Sequence, residues 1–131
     1  MRIFRAAQIP SEGGDSNTFT GDVIRTTLAG DTVGTPVHVY RVEFLPGART
    51  YWHTHTGPQW LLVIEGRIRV QKLGEEATDV VKGDAVVIQP GEKHWHGATA
   101  GERGVHLAVN VNASTNWMEP VTDEQYGGVL K

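Results

Sequence analysis

The sequence predicts an all-β fold, a small barrel of short strands, and three observations carry that prediction. Apolar and polar residues alternate in short runs such as Val37 to Leu45 (VHVYRVEFL) and Gly104 to Val111 (GVHLAVNV), the period of a strand with one face covered. Turn formers punctuate the chain at short intervals: Pro46-Gly47, Gly57-Pro58, Gly66, Gly74-Glu75-Glu76, Gly83-Asp84 and Pro90-Gly91. Short, regular strands separated in this way argue for a barrel. Finally, 131 residues with 39% hydrophobic content fit one domain over 1–131, large enough to bury roughly two-thirds of its extended-chain surface.

Along the chain, Ile3-Phe4 is a short apolar start. SEGGDSNTFTGD follows, a loop of Ser, Gly, Asp, Asn and Thr that is ordered by docking onto the rest. Val23 to Ala29 reads as an edge strand, and Gly30-Asp31 begins a turn region that ends at Pro36. In Val37 to Leu45, the residues Val37, Val39, Arg41 and Glu43 share one face and His38, Tyr40, Val42 and Phe44 the other. The face with Tyr40, Val42 and Phe44 is expected inside, because an ion-paired Arg41 and Glu43 prefer water or a subunit rim.

Pro58 to Gly66, Arg67 to Lys72, Ala77 to Val81 and Ala85 to Gln89 are four more expected strands, with Asp84 a turn residue. In Gly104 to Val111, His106, Ala108 and Asn110 face one side and Val105, Leu107, Val109 and Val111 the other. The apolar side would be exposed on so small a barrel, which predicts a homo-oligomer, dimer or tetramer. Near the end, Thr122-x-x-Gln125 has the form of a helix cap, and Trp117 and Met118 read as core or interface packing.

Composition narrows the function classes. Twelve basic against fifteen acidic residues give a net charge of -3, and no basic run offers a footprint for nucleic acid or an anionic membrane. The expected partner is a small molecule. With no cysteine there are no disulfides or thiolate ligands. MRIFRAAQIP lacks the apolar core of a signal peptide, so the expected location is cytoplasmic.

Chemistry concentrates in two stretches. Gly47 to Gly66 (GARTYWHTHTGPQWLLVIEG) holds His53, His55 and Gln59, and Gly83 to Ala98 (GDAVVIQPGEKHWHGA) supplies His94. In a strand, residues two apart point the same way, so His53 and His55 form a chelating pair. Gln59 follows across the Gly57-Pro58 turn and can return its amide beside them, and His94 on a later strand can close the set. Three imidazoles with one neutral oxygen suit a divalent transition ion such as manganese, iron, nickel or zinc.

The pattern Gly47-x5-His53-x-His55-x3-Gln59-x6-Gly66, then Gly83-Asp84 and Pro90-Gly91-x2-His94, resembles the two motifs of the cupin superfamily, with sixteen residues between them. The resemblance implies a double-stranded β-helix barrel with short N- and C-terminal extensions and its motifs within about 37–112. It carries the metal-ligand role to His53, His55, Gln59 and His94. Cupins usually have glutamate where this chain has Gln59. A neutral amide compensates less of the ion's charge, which makes the ion a stronger electrophile.

Phe44-Leu45-Pro46-Gly47-Ala48-Arg49-Thr50, Pro90 to Ala98, His106-Leu107-Ala108 and Trp117 to Tyr126 together resemble the small bacterial manganese cupins that include the cupin-type (R)-selective hydroxynitrile lyases. That resemblance implies Mn(II) at the four ligands, His106 as the base, and Tyr40, Val42 and Asn110 as cavity-lining positions. The implied activity is a metal-dependent lyase that cleaves or forms a cyanohydrin, since Lewis-acid chemistry needs somewhere to put a proton. His96 shares the face of His94 and rivals His106 for the proton. The other readings are a dioxygenase using Fe(II) or Ni(II) on the same ligands, a sugar-acid isomerase or lyase, and a cupin that binds a small molecule without turning it over.

Overall fold

A computed structural model of the chain describes residues 1–30 and 36–127. The interior of the turn expected between Gly30 and Pro36 lies outside the described residues. After a short 3-10 turn at Ala6–Gln8, the strands are β1 (Glu12–Gly13), β2 (Phe19–Thr20), β3 (Val23–Ala29), β4 (Val37–Phe44), β5 (Arg49–Thr50), β6 (His53–His55), β7 (Gln59–Lys72), β8 (Thr78–Val81), β9 (Ala85–Ile88), β10 (His94–Ala98), β11 (Gly104–Val111) and β12 (Thr115–Trp117). One helical turn, α1 (Asp123–Tyr126), follows. It carries the expected cap: the Thr122 side chain accepts from the Gln125 backbone and Gln125 returns the bond to the Thr122 backbone.

The strands form a curled antiparallel sheet with two arms. One arm runs β1-β3-β4-β11-β7-β9; the other runs β8-β7-β10 and branches to β5-β2 and to β6-β12. Strand β3 sits inside the two-residue β1 instead of at the very edge.

Strand β7 belongs to both arms, which corrects one expectation. Pro58 to Gly66 and Arg67 to Lys72 are not separate strands, because pairing continues through Gly66 over 14 residues. Gly66 bends the strand instead of ending it. Its φ of 66° is open to glycine, and a Cβ there would lie 2.3 Å from the Arg103 carbonyl oxygen. The register of β11 slips opposite the bend, between Val105 and His106.

The expected inner face of β4 is the inner face observed. Val42 and Phe44 join Phe19, Val23, Ala48, Val63, Ile68 and Ala98 in the core between the arms. A second cluster of Trp52, Trp95 and Val121 fixes the C-terminal segment, with Met118 and Tyr126 packed against it. Outside, Arg41 and Arg103 pair with Glu43 and Glu65 in a four-member network. Trp60, Leu62 and Val87 are exposed on the outer face. Val105 is fully buried, so the partly open row on β11 is Leu107, Val109 and Val111. Among the described residues no helix is long and apolar enough to cross a membrane.

Candidate active site

Three short strand ends bring the site together. His53 and His55 occupy alternate positions of β6 and point to the same side, both buried. Antiparallel pairing sets His94, the first residue of β10, opposite His53. Gln59 opens β7 opposite Asn110 of β11. Between them, Gly57 packs so closely on the end of β11 that a Cβ would meet the Val111 carbonyl oxygen at 2.1 Å, so the return of the chain to Gln59 requires glycine.

The ring centre of His53 lies 4.9 Å from that of His55 and 4.2 Å from that of His94. His53 Nδ1 donates to the Tyr51 carbonyl and His94 Nδ1 to the Glu92 carbonyl, each at 2.8 Å. A carbonyl only accepts, so these nitrogens carry the ring protons and a neutral ring then has a bare lone pair at Nε2. His55 Nδ1 is 3.0 Å from the Thr115 hydroxyl.

Gln59 completes the arrangement. Its Nε2 donates to Asn110 Oδ1 at 2.8 Å, which aims Oε1 at the histidines, 3.2 Å from His55 Nε2 and 3.3 Å from His94 Nε2. The His94 contact sets one acceptor against another, with no proton to join them. Protonating the ring would relieve it, but burial pushes His94 down to about 4 and holds His53 well below the usual imidazole range, helped there by the neighbouring His94. Burial lowers His55 as well. A cation among these lone pairs removes the conflict, and a neutral set of imidazoles with one amide oxygen fits a divalent transition ion. A fourth imidazole also approaches: one nitrogen each of His53, His94 and His96 lie within 4.8 Å of one another.

His96 and His106 form a second unit. His106 Nε2 and His96 Nδ1 share a hydrogen bond of 2.9 Å, and both rings are buried. Burial pushes His106 down to about 4; burial and the neighbouring imidazoles hold His96 well below its ordinary value. Their remaining nitrogens, His96 Nε2 and His106 Nδ1, are buried without a hydrogen-bond partner among the described residues. In a neutral pair, the ring that donates the central proton has an unprotonated outer nitrogen, and the other ring carries its own proton at its outer nitrogen. The donating ring can therefore act as a base whose imidazolium the other ring stabilises through the shared bond.

Both groups open onto a cavity of about 150 Å³, the size that accepts a single benzene ring. Tyr40, Val42 and Asn110 line it together with His53, His55, Gln59, His96 and His106. Sequence reasoning missed Phe19, Arg25, Thr50, Thr115 and Trp117 in the same wall. Trp117, read as core or interface packing, instead lays its ring 4.6 Å from the centre of His53 and 5.8 Å from Phe19. The signal was available in part, since Thr115 and Trp117 share a parity, but β12 is too short to show a period.

A curled antiparallel barrel with histidines and a glutamine gathered at its mouth defines a cupin. The chain belongs to the cupin family, whose Cupin domain matches residues 40–110. It is 40% identical over 129 residues to the (R)-mandelonitrile lyase of Granulicella tundricola, covering 96% of this chain and 98% of that protein. Among solved structures, a cupin-like protein from Thermotoga maritima is 41% identical, with a TM-score of 0.84 over 87% of this chain and 89% of the other. A polyketide cyclase from Streptomyces resistomycificus shares the fold at 19% identity, with a TM-score of 0.77 over 96% and 90% of the two chains.

Proposed function

We propose that this chain, a single cupin domain, is a metal-dependent lyase that cleaves or forms a cyanohydrin. The observation that carries the reading is the buried His96–His106 pair in the same small cavity as the metal-type donor set. The 40% identity to a lyase named for mandelonitrile supports it.

His53, His55, Gln59 and His94 would hold the ion, which we propose to be Mn(II), with Fe(II), Ni(II) and Zn(II) the alternatives. We assign the fourth position to Gln59 in place of His96, because its oxygen already faces two imidazole nitrogens while His96 is engaged with His106. The ion would supply a Lewis acid that lowers the pKa of a cyanohydrin hydroxyl. Val42, Phe44 and Ala108 form the apolar wall against which the organic part rests. His106 takes the hydroxyl proton, and His96 stabilises the resulting imidazolium through their hydrogen bond. The carbon–carbon bond to cyanide breaks, the oxygen becomes that of the aldehyde, and the proton returns from His106 to cyanide. Phe44, 5.3 Å from the His106 ring centre, keeps water from competing for that proton.

The working form we propose is a cytoplasmic homo-oligomer that covers Trp60, Leu62 and Val87. The test of the function is elemental analysis followed by mandelonitrile cleavage on the same preparation. His106→Ala should keep the metal and slow cleavage by about 10²–10⁴-fold, the usual contribution of a general base. His53→Ala should lose both metal and activity. Cleavage at the parental rate in His106→Ala would move the base to His96. Oxygen uptake without cyanide release would replace the lyase by a dioxygenase.

A further inference from the structure

The cavity wall contains a cationic side chain, and neither the metal nor the proton transfer uses it. Arg25 lies in β3 with Glu12 of β1 and Val42 of β4 as its cross-strand partners. Val23, two residues earlier, is in the core, and Val42 lines the cavity, so alternation calls for an apolar side chain at position 25. The chain places an arginine there, with its side chain 40% exposed at the rim.

The surroundings define what that guanidinium lacks. Its Nη2 reaches Glu12 Oε2 at 3.2 Å, but the Glu12 side chain is 70% exposed and stands outside the cavity. A pair this open is held weakly. On the inner side its carbon lies 5.8 Å from the centre of the Tyr40 ring. Among the described residues lining the cavity, Arg25 is the one Lys or Arg, and no Asp or Glu accompanies it. The proposed ligand set adds no negative charge either, since Gln59 replaces a carboxylate and the imidazoles are neutral. Among the described residues of the wall, Arg25 is thus the one formal charge, and its single carboxylate partner lies outside the cavity.

We propose that the cavity selects substrates carrying a carboxylate away from the reacting carbon, and that Arg25 binds this carboxylate, releasing Glu12. The planar fork of arginine matches a carboxylate with two parallel hydrogen bonds. The substrate class is then the cyanohydrin of an aldehyde acid; this rests on the lyase reading for the reaction, not for the binding of the acid.

The test compares mandelonitrile with 3- and 4-carboxymandelonitrile on the metal-loaded protein, with calorimetric binding of 3- and 4-formylbenzoate and benzaldehyde alongside. At least one carboxylated substrate should be favoured in kcat/KM by about tenfold or more. In Arg25→Gln that ratio should fall towards one, and Glu12→Gln should raise it. A merely structural role for the Arg25–Glu12 pair would slow all substrates alike and give both variants the same defect. Mandelonitrile cleavage with no Arg25-dependent preference for either acid overturns the inference and leaves the lyase standing. Formylbenzoate binding that depends on Arg25, without cleavage of any cyanohydrin, overturns the lyase and keeps the inference. Equal binding of the acids and benzaldehyde, unchanged in Arg25→Gln, overturns it on either account.

Discussion

Removing metal should make this protein acid-labile well above the pH at which its carboxylates titrate. His94 and His106 are pushed from an ordinary 6.5 to about 4 by burial. The unfolded chain takes up protons on these rings below about pH 6.5, whereas the folded chain refuses them until about pH 4, so stability falls as the pH drops through that window. Each ring then removes about 2 kcal/mol between pH 7 and pH 5. Together they remove about 4 kcal/mol, a large part of the roughly 5–15 kcal/mol that holds a domain together. His53 and His96 are lowered too and act in the same direction. The assay is urea unfolding of metal-stripped protein at pH 7 and pH 5. His106→Gln, which can still bond to His96, should reduce the difference by about 2 kcal/mol. Adding Mn(II) at 100 times its dissociation constant should restore about 2.7 kcal/mol. Equal stability of the stripped protein at the two pH values would refute the reasoning, because these rings would then be solvated or already protonated in the fold.

Two further changes probe the site and its support. Gln59→Glu puts a charged oxygen where Gln59 Nε2 now donates to Asn110 Oδ1 at 2.8 Å; once the Asn110 amide turns over to donate, the protein should retain metal against a chelator at least about tenfold better. The less electrophilic ion should lower kcat for cyanohydrin cleavage, and weaker metal retention would contradict the assignment of Gln59. Gly97→Ala, next to His96, would place a Cβ 2.4 Å from the Ala48 carbonyl oxygen and 2.6 Å from Arg49 Cα. Those are backbone atoms with no rotamer to yield, so urea unfolding should show a loss of about 2–3 kcal/mol, and parental stability would mean that β5 and β10 are not packed this closely.

What the sequence disclosed follows the length of each element. Val23–Ala29 and Gly104–Val111 are long enough to show a period of two, and the structure starts and ends those strands on the expected residues. The inner face of β4 was legible because Arg41 and Glu43 stand opposite Val42 and Phe44. His53 and His55 announced a common side by spacing alone. By contrast, β2, β5 and β12 have two or three residues each and gain their order from distant partners. Phe19, Thr50 and Trp117, which they bring to the cavity, sit in runs too short to show a period. Arg25 did carry one, since it shares the parity of buried Val23, but an arginine in a strand thought to lie at the edge reads first as solvated surface.

Gly66 shows why the meeting of the two buried imidazoles could not be read at all. Parity alone directs His96 and His106 to the inside, yet they sit on strands that are not neighbours. In register, His96 stands opposite Val70 and His106 opposite Val63, with β7 between their strands. On a flat sheet, seven residues along a strand separate two positions by roughly 23 Å. The bend at Gly66 lies between Val63 and Val70 and folds the inner faces of the two arms towards each other, and a hydrogen bond of 2.9 Å spans the gap. A glycine that local rules read as the end of a strand is thus what lets the strand continue through a corner, and the proposed base depends on that corner as much as on its two histidines.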